Sequence, residues 1–356
     1  MTKINKLFSN TRYADTIKQL LHPLRKFPLT LEQSGEAARR WDFPSDHLPV
    51  YGRVNNCQMG SANILNNSYI SHIQNIPSWS ESSLVTESKI PSTTYPGMSL
   101  REEKMVRHLY KILVEERKLD ILGLQECSDR MCHLLKKIFE PLNIGVIVGD
   151  GKWNNHATTL VNLDTYVIRD TKITPIFHRD IPKFKGLVWD EWRPAVDVRV
   201  EAKKRCIGFP EEHRVLNVHI SSTNQNNFYK LARLYEVRSY LDAFPTKRSP
   251  LTVLGDFNAN ENLIEKVFNG DYISLRTYHT QIECVPANKP HLVSIDDIRT
   301  RPPKNAHQMI ELRPLPLQDI DPLAHKNFEE IFKPLINTQV QRRQILSETQ
   351  VERPAL

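Results

Sequence analysis

Long apolar runs and cysteine are both scarce in this chain of 356 residues, and each scarcity excludes a class of protein. No hydrophobic run approaches the ~20 residues that a membrane-spanning helix needs, so we expect no transmembrane segment. Residues 1–21 lack the continuous apolar stretch of a secretory signal peptide, so we expect no export by the Sec route. No internal repeat is visible.

The cysteines form an odd and sparse set, at Cys57, Cys127, Cys132, Cys206 and Cys284. No two of them form a C-x-x-C pair, which argues against a disulfide-stabilised scaffold and against a structural zinc site. This usage fits a reducing compartment. We therefore expect a cytoplasmic protein, or one delivered by a route that needs no signal peptide.

Apolar and charged residues occur in ordinary amounts, at 40% and 25% of the chain. These fractions are close to the globular average, which argues against wholesale disorder and predicts a substantial core. At ~150 residues per domain, the length suits one large domain or two ordinary ones. The net charge of +7 favours polyanionic partners, although a modest surplus is more often spread over a solvated surface.

Short β-branched apolar runs alternate with helical stretches from about residue 58 to residue 300, which predicts an α/β domain with buried strands. Ser99 and Glu102 form a capping box that opens one helix, and a second helical period runs from Phe228 to Tyr240 and ends before Pro245. The predicted strands are 59–65, 121–124, 144–148, 158–161, 166–168, 195–200, 215–220, 251–254 and 292–298.

Three segments follow from this pattern. Residues 1–42 form a predicted helical extension with an amphipathic helix near 17–24, and residues 43–300 form the α/β domain. Residues 301–356 begin as a Pro-rich linker and continue as a helical extension around 328–336. Within the domain, residues 76–98 are rich in Ser, Thr and Pro and predict a long loop.

Several of the apolar runs contain or end at a residue suited to metal or phosphate chemistry. Taken singly, each is more simply a turn residue, a cap or a satisfied buried polar group. Ligand sites gather at strand ends in open sheets, however, so five such runs in one domain favour a shared site. The residues concerned are Asn63, Glu126, His219, Asp256 with Asn258, and Asp296.

Four motifs resemble, in this order, those of the endonuclease/exonuclease/phosphatase superfamily of metal-dependent phosphohydrolases. They are LQE at 124–126, NVHI at 217–220, GDFN at 255–258 and Ile-Asp-x-Ile at 295–298. The resemblance implies a DNase I-like fold, a two-sheet β-sandwich flanked by helices, and a phosphoric ester hydrolase. The family normally ends with a strand that opens Ser-Asp-His, and no such tripeptide follows residue 300.

The tripeptide occurs near the other end of the chain, as Ser45-Asp46-His47, and the Leu-Pro-Val after it is also similar to the family's last motif. The next apolar run carries Asn63, which looks like the family's first motif. Between them, Asn55-Asn56 suits the positive φ values of a tight hairpin turn. This order predicts a circularly permuted family member. The alternative is a chance tripeptide in a non-catalytic extension.

Hydrolysis of a phosphate ester needs a nucleophilic water, an in-line approach, and positive charge where the phosphorus gathers negative charge. Mg²⁺ supplies part of that charge and prefers oxygen ligands. Carried over by position, the resemblance implies that Glu126 is the main metal ligand and that Asn63 and Asp46 contribute around the same ion. Mn²⁺ is a possible substitute.

The same resemblance implies five catalytic residues. Asp256 would orient or deprotonate the attacking water, and Asn258 would hold that water or a phosphate oxygen. His47 would donate to a non-bridging phosphate oxygen, while Asp296 accepts from its other ring nitrogen and fixes the tautomer. His219 would contact the phosphate or aid the leaving group, or else it is a strand-end histidine bonded to a neighbouring carboxylate.

Two positions near the site stay open. Asp297 stands where relatives often have an aromatic or apolar residue, so either Asp296 or Asp297 could face His47, and register with Ile295 favours Asp296. Arg193 precedes a strand where some relatives keep a phosphate-binding residue, and an exposed loop arginine fits the sequence at least as well.

These motifs specify the reaction and not the substrate. GDFN leans away from inositol phosphatases, and segments 44–48 and 124–127 are similar to the deadenylase-like branch, so a nuclease acting on RNA or DNA is the leading hypothesis. Basic clusters at 183–185, 203–205 and 299–304 could follow a phosphate backbone, and three nearby aromatic residues could stack on bases. Solvated loops explain both features slightly better. The aromatic residues are Phe184, Trp189 and Trp192.

Two other classes of function remain. A phospholipid or small-phosphoester hydrolase, sphingomyelinase-like or a phosphoinositide phosphatase, would use the 76–98 segment or the terminal extensions to contact a membrane or headgroup. A non-catalytic binding module is disfavoured, because no proposed metal, base or histidine position carries an inert residue.

Overall fold

The computed structural model describes residues 27–28, 39, 41–77, 79–116, 118–151, 154–174, 195–204, 212–220, 227–244, 249–259, 261–268, 272–275, 281–283, 291–293, 296–301 and 312–315. They form two six-stranded mixed sheets with helices on the outer faces, and a separate three-stranded sheet. The predicted two-sheet α/β sandwich is therefore confirmed.

The first large sheet holds the predicted hairpin. Its strands in spatial order are β15 (Leu312–Pro314), β2 (Val50–Val54), β3 (Cys57–Asn63), β4 (Ile121–Cys127), β6 (His156–Asn162) and β5 (Ile144–Val148). β2 and β3 pair antiparallel, and Val54 lies opposite Cys57. The φ of Asn55 is 56°, which confirms the tight turn at Asn55-Asn56. β3 and β4 run parallel, so their carboxyl ends lie at the same edge.

The second large sheet has the same mixed character. Its strands in spatial order are β11 (Ile273–Ser274), β14 (Asp296–Arg301), β10 (Leu251–Asp256), β9 (Glu212–His219), β8 (Ala195–Ala202) and β7 (Tyr166–Thr174). β9 and β10 run parallel and the other neighbours antiparallel. The small sheet contains β1 (Phe27–Pro28), β13 (His291–Val293) and β12 (Gln281–Glu283).

Six α-helices are present among the described residues: α1 (Ile70–Gln74), α2 (Ser83–Lys89), α3 (Leu100–Tyr110), α4 (Asp129–Phe139), α5 (Asn227–Asp242) and α6 (Glu261–Phe268). Both bonds of the Ser99–Glu102 capping box form at the start of α3, and a π-helical turn over Lys111–Glu115 extends this helix. α5 confirms the second predicted helix. None of the described helices has the length and apolarity that crossing a bilayer requires.

The core between the sheets is built from β-branched and aliphatic side chains that face inward at every second position. Met59 and Ile121 of the first sheet share one buried cluster with Val215, Leu254 and Ile298 of the second. The sheets approach closely, since a Cβ on Gly123 would lie 2.0 Å from the Leu254 Cδ1. α3 and α4 cover the outer face of the first sheet, and α5 and α6 cover that of the second.

Two predictions of secondary structure were wrong. The run 292–298 contains two strands, because β13 joins the small sheet while β14 pairs with β10. A continuous apolar run gives no signal of the point at which the chain passes from one sheet to another. The predicted loop at 76–98 contains α2, which Ser82 caps, and the loop after it is held by Glu103, which accepts hydrogen bonds from Ser92 and Thr94.

The predicted terminal extensions lie mostly outside the described residues, as do the predicted helices near 17–24 and 328–336, Arg193 and the aromatic residues at 184–192. Of the described residues beyond 43–300, Trp41 is buried in the first sheet's outer core, and β15 pairs with β2. Cys57, Cys127 and Cys132 are buried free thiols, as expected.

Candidate active site

The register of the first sheet places two predicted residues side by side. Asn63 at the end of β3 lies opposite Gln125 of β4, directly before Glu126. Regular alternation would point Glu126 away from the second sheet. Its φ of 60° and the register shift between Leu124 and Cys127 interrupt that alternation, and its side chain reaches the inter-sheet cleft.

The register of the second sheet places three more residues in one row. Asp256, the last residue of β10, lies opposite His219 of β9 on one side and Asp296 of β14 on the other. All three are buried. Leu254 and Ile298, two residues along the same strand faces, belong to the core between the sheets, so this row points toward the first sheet.

His47 enters the cleft from the segment before β2. The Ser45 hydroxyl donates to the Asn63 carbonyl at 2.6 Å and accepts from the His47 backbone N–H at 3.2 Å, which folds the tripeptide against the end of β3. The His47 Nδ1 then lies 2.9 Å from the Asp296 Oδ2. Asp296, and not Asp297, is therefore the carboxylate that faces His47.

Further contacts join the two rows into one cluster. The Asn63 Nδ2 donates to the Asp256 Oδ2 at 3.0 Å, and the Asn258 Nδ2 donates to the same oxygen at 2.9 Å. The His219 Nε2 lies 3.6 Å from both the Glu126 Oε1 and the Asp256 Oδ2. The Asp46 Oδ1 lies 3.7 Å from the His47 Nε2. The structure thus brings together all eight residues singled out in the sequence.

The eight residues of this cluster include four acids and no lysine or arginine. Burial, the charge of Asp296 and the charge of Glu126 together raise the pKa of Asp256 to about 8. Burial alone would lower the pKa of His47, but Asp296 and Asp46 raise it well above its usual value. The neighbouring acids therefore favour proton binding by both Asp256 and His47.

The donor set fits a hard divalent cation. Two groups offer ligand atoms within 4.8 Å of one another, and they share Asp256: His47 with Asp256 and Asp296, and Glu126 with His219 and Asp256. Glu126 and Asp46 are the most accessible acids of the cluster, with side chains 12% and 15% exposed. Carboxylate and amide oxygens are the ligands that Mg²⁺ and Mn²⁺ prefer.

Strained backbone surrounds the cluster. Glu126, Leu65 and Asn258 have φ values of 60°, 53° and 43°. Asparagine adopts this region at modest cost, whereas leucine and glutamate rarely do. Such conformations persist where surrounding contacts impose them, and they concentrate at functional sites.

Three supporting residues were not identified from the sequence. The Arg101 guanidinium is buried and donates to the backbone carbonyls of Pro44 and Ile64, and the Asn66 backbone N–H donates to the Glu126 Oε2 at 3.2 Å. Asn217 accepts from the Gln125 Nε2 at 2.8 Å and donates to the Leu124 carbonyl. Only Asn217 lies inside a recognised motif.

One predicted basic cluster is partly wrong. Arg299 is buried and bonds Asp297 and Glu265, and Arg301 bonds Asp242 at 2.6 Å. Both arginines form ion pairs on the sheet face that α5 and α6 cover, because alternate residues of β14 point to that face. Lys304 and Arg205 lie outside the described residues.

Solved structures similar to this one share little sequence with it. The crystal structure of D. rerio TDP2 complexed with single-strand DNA product is 15% identical, covers 58% of this chain and 80% of that chain, and has a TM-score of 0.46. The structure of ANGEL2, a 2′,3′-cyclic phosphatase, with adenosine-2′,3′-vanadate is 12% identical, covers 77% and 91%, and has a TM-score of 0.49.

An endonuclease/exonuclease/phosphatase family protein from Bacteroides thetaiotaomicron is 14% identical, covers 75% of this chain and 94% of that chain, and has a TM-score of 0.45. The ligands named above are those of the other proteins. No protein-family model and no curated protein matches the chain.

Proposed function

We propose that this protein is a divalent-metal-dependent phosphodiesterase of the endonuclease/exonuclease/phosphatase type, with a circularly permuted chain. The observation that carries the proposal is the contact of the His47 Nδ1 with the Asp296 Oδ2 at 2.9 Å, within the cluster that also holds Glu126 and Asp256. His47 and Asp296 come from opposite ends of the domain in sequence, and the proposed chemistry needs them in one cleft with Glu126 and Asp256.

Glu126, Asn63 and Asp46 would hold the cation, Mg²⁺ or Mn²⁺. When bound, the ion would supply positive charge beside the phosphate and offset the repulsion among the acids. The raised pKa of Asp256 supports this assignment, because it marks a place where added positive charge stabilises the protein.

Asp256 is the proposed general base. The Asn258 backbone N–H donates to its Oδ1 at 2.8 Å, and the amides of Asn63 and Asn258 both donate to its Oδ2. These bonds fix the carboxylate in one orientation, from which it takes a proton from the attacking water. Asn258 also donates to the Ile220 carbonyl at 2.7 Å, which ties the base to β9.

His47 is the proposed donor to a non-bridging phosphate oxygen. Asp296 contacts its Nδ1 and helps to raise the pKa of the imidazole, and the Nε2, which lies 3.7 Å from the Asp46 Oδ1, would donate to the substrate. His219 lies on the opposite side of Asp256 and would stabilise the phosphate or the leaving oxygen. Buried donors in fixed positions need no rearrangement as charge develops.

The chain order supports permutation. The strand after Ser45-Asp46-His47 pairs with the strand that carries Asn63, through a two-residue turn. Joining the family's last and first strands in this way keeps every site residue in place while moving the chain ends elsewhere.

Nucleic acid is the proposed substrate class. The net charge of +7 and the similarity of segments 44–48 and 124–127 to the deadenylase-like branch support it. A phospholipid or small phosphoester is the second candidate, because the motifs alone do not distinguish it from nucleic acid.

A substrate panel tests the proposal. Single- and double-stranded RNA and DNA, sphingomyelin liposomes and phosphoinositides are incubated with the wild type, Asp256→Ala and Asp170→Ala, with Mg²⁺, Mn²⁺ or a chelator. Asp170 is an exposed aspartate of β7 and is the matched control. We expect metal-dependent oligonucleotide cleavage that only Asp256→Ala abolishes. Release from liposomes alone would select the second candidate, and hydrolysis of nothing, or full activity in Asp256→Ala, would end the proposal.

A further inference from the structure

Arg101, the second residue of α3, is a buried arginine that contacts both strand-end segments of the first sheet. Its Nη1 donates to the Pro44 carbonyl at 2.6 Å and to the Ile64 carbonyl at 3.0 Å. Its Nη2 donates to the Leu65 carbonyl at 2.6 Å and to the Asn67 Oδ1 at 2.7 Å. One guanidinium therefore spans two segments that leave the β2–β3 hairpin separately.

Both segments carry proposed site residues. Pro44 directly precedes Ser45-Asp46-His47, and Ile64 directly follows Asn63. Leu65 has a φ of 53°, a conformation that needs support from outside the segment, and Arg101 bonds its carbonyl. A fork of five donors in one plane suits several acceptors at once, which a lysine ammonium does not.

The acceptors of Arg101 distinguish it from the structural arginines. Arg233 bonds Glu236, and Arg299 bonds Asp297, so each of these buried charges has a carboxylate in contact. The four acceptors of Arg101 given above are uncharged. Burial lowers the pKa of Arg101 to about 10, so it stays protonated, and the charges of Glu102, Asp46 and Glu126 favour its charged form.

We propose that Arg101 is a positioning residue, which clamps the 44–47 segment to the 63–67 segment so that Asp46 shares one cation site with Asn63 and Glu126, with His47 beside it. The assignment of that site rests on the proposed function. The clamp itself concerns only the contacts between these two segments, and hydrogen exchange measures it without a metal.

The experiment compares Arg101→Lys with Arg233→Lys, a matched exchange of a buried arginine in α5. Hydrogen exchange is followed at three amides that bond site residues: His47 to the Ser45 Oγ, Leu65 to the Asn63 Oδ1, and Asn66 to the Glu126 Oε2. We expect Arg101→Lys to speed exchange at these amides at least ~10-fold while β10 amides keep their rates. Mn²⁺ affinity should fall ~10- to 100-fold. Arg233→Lys should change neither.

Two further arms keep the result decisive. Asn67→Ala removes a single acceptor of Arg101 and should speed exchange at the same amides, but to a smaller extent. This variant provides the test if Arg101→Lys does not fold. Guanidinium chloride should restore Mn²⁺ binding to Arg101→Ala, while sodium chloride at equal ionic strength should not. Unchanged site amides in both Arg101→Lys and Asn67→Ala, or equal effects in Arg233→Lys, would overturn the clamp. If the wild type binds no Mn²⁺, the proposed function fails while hydrogen exchange still decides the clamp.

Discussion

Asp296 and Asp297 are neighbours on β14, and they lie in opposite kinds of environment. Asp296 points between the sheets, where it meets His47 and adds to the charge that raises the pKa of Asp256. Asp297 points outward, where Arg299 bonds it at 2.8 Å and the Ser274 hydroxyl donates to it. Both side chains are fully buried.

The difference separates a structural from a functional use of buried charge. On the outer face Asp297 has the fixed cation of Arg299, so this ion pair is complete without a ligand. Among the described residues of the inner face, the acids Asp46, Glu126, Asp256 and Asp296 lie around two histidines, so a bound cation should stabilise the folded protein. Changing single acids on the two faces tests this contrast.

Asp256→Asn removes the proposed base and part of the uncompensated charge. Activity should fall about 10³-fold, the usual range for a lost general base. The metal-free variant should melt at a higher temperature than the wild type at pH 8, because a neutral amide replaces a buried acid among acids. Steady-state kinetics and thermal melts check the two outcomes. A variant that lost both activity and stability would erase the proposed contrast.

Asp297→Asn should do the reverse, because it leaves the buried Arg299 charge with only the exposed carboxylate of Glu265 on the outer face. We expect a loss of about 3 kcal/mol in the free energy of unfolding, measured by urea denaturation. Activity per folded molecule should change less than in any inner-face variant. Adding Arg299→Met should recover part of the lost stability, and no recovery would mean that Glu265 alone balances the Arg299 charge.

The contrast also shows how far the sequence could be interpreted. Strand-end residues such as Asn63, Asp256 and Asp296 were predictable, because short apolar runs mark buried strands and parallel neighbours end at one edge. Asn55-Asn56 was predictable from turn chemistry. These features depend on local sequence.

Features set by tertiary partners were not predictable. Arg101 looked like an ordinary residue in the first turn of α3, and its acceptors are backbone carbonyls from distant segments. Arg299 was interpreted as part of a solvated basic loop or a phosphate contact, whereas it is buried and bonded to Asp297 and Glu265. The change of sheet between β13 and β14 lies inside one apolar run.

Asp296→Asn should reduce activity without removing the proposed metal ligands or the proposed base. Since Asp296 orients His47 and raises its pKa, we expect activity to fall ~10- to 100-fold and the pKa of His47 to drop. Titration of the imidazole by NMR in metal-free protein measures the second effect. An unchanged titration would mean that the pair at 2.9 Å does not control His47.

The pH dependence of the stability of the metal-free protein gives a further prediction. The pKa of Asp256 rises from an ordinary value of 3.8 to about 8 on folding, so the folded state binds more protons across that range. Stability should therefore fall as pH rises from about 4 to about 8. Asp256→Asn should flatten the profile, and Mn²⁺ should raise the wild-type melting temperature more at pH 8 than at pH 5.

Glu236 provides the control for that slope. Burial raises its pKa to about 7, so it contributes a loss of stability of the same sign, outside the site. Glu236→Gln should therefore flatten part of the profile without changing the Mn²⁺ response. A Mn²⁺ response that disappears in Glu236→Gln would contradict the separation between the two regions.

Anomalous diffraction from crystals soaked in Mn²⁺ examines the shared cleft most directly. The account predicts an anomalous peak between the carboxylates of Glu126 and Asp46 and the amide of Asn63, with the His47 imidazole in the same cleft. A peak elsewhere on the molecule, or a His47 ring turned away from Glu126 and Asp256, would contradict it.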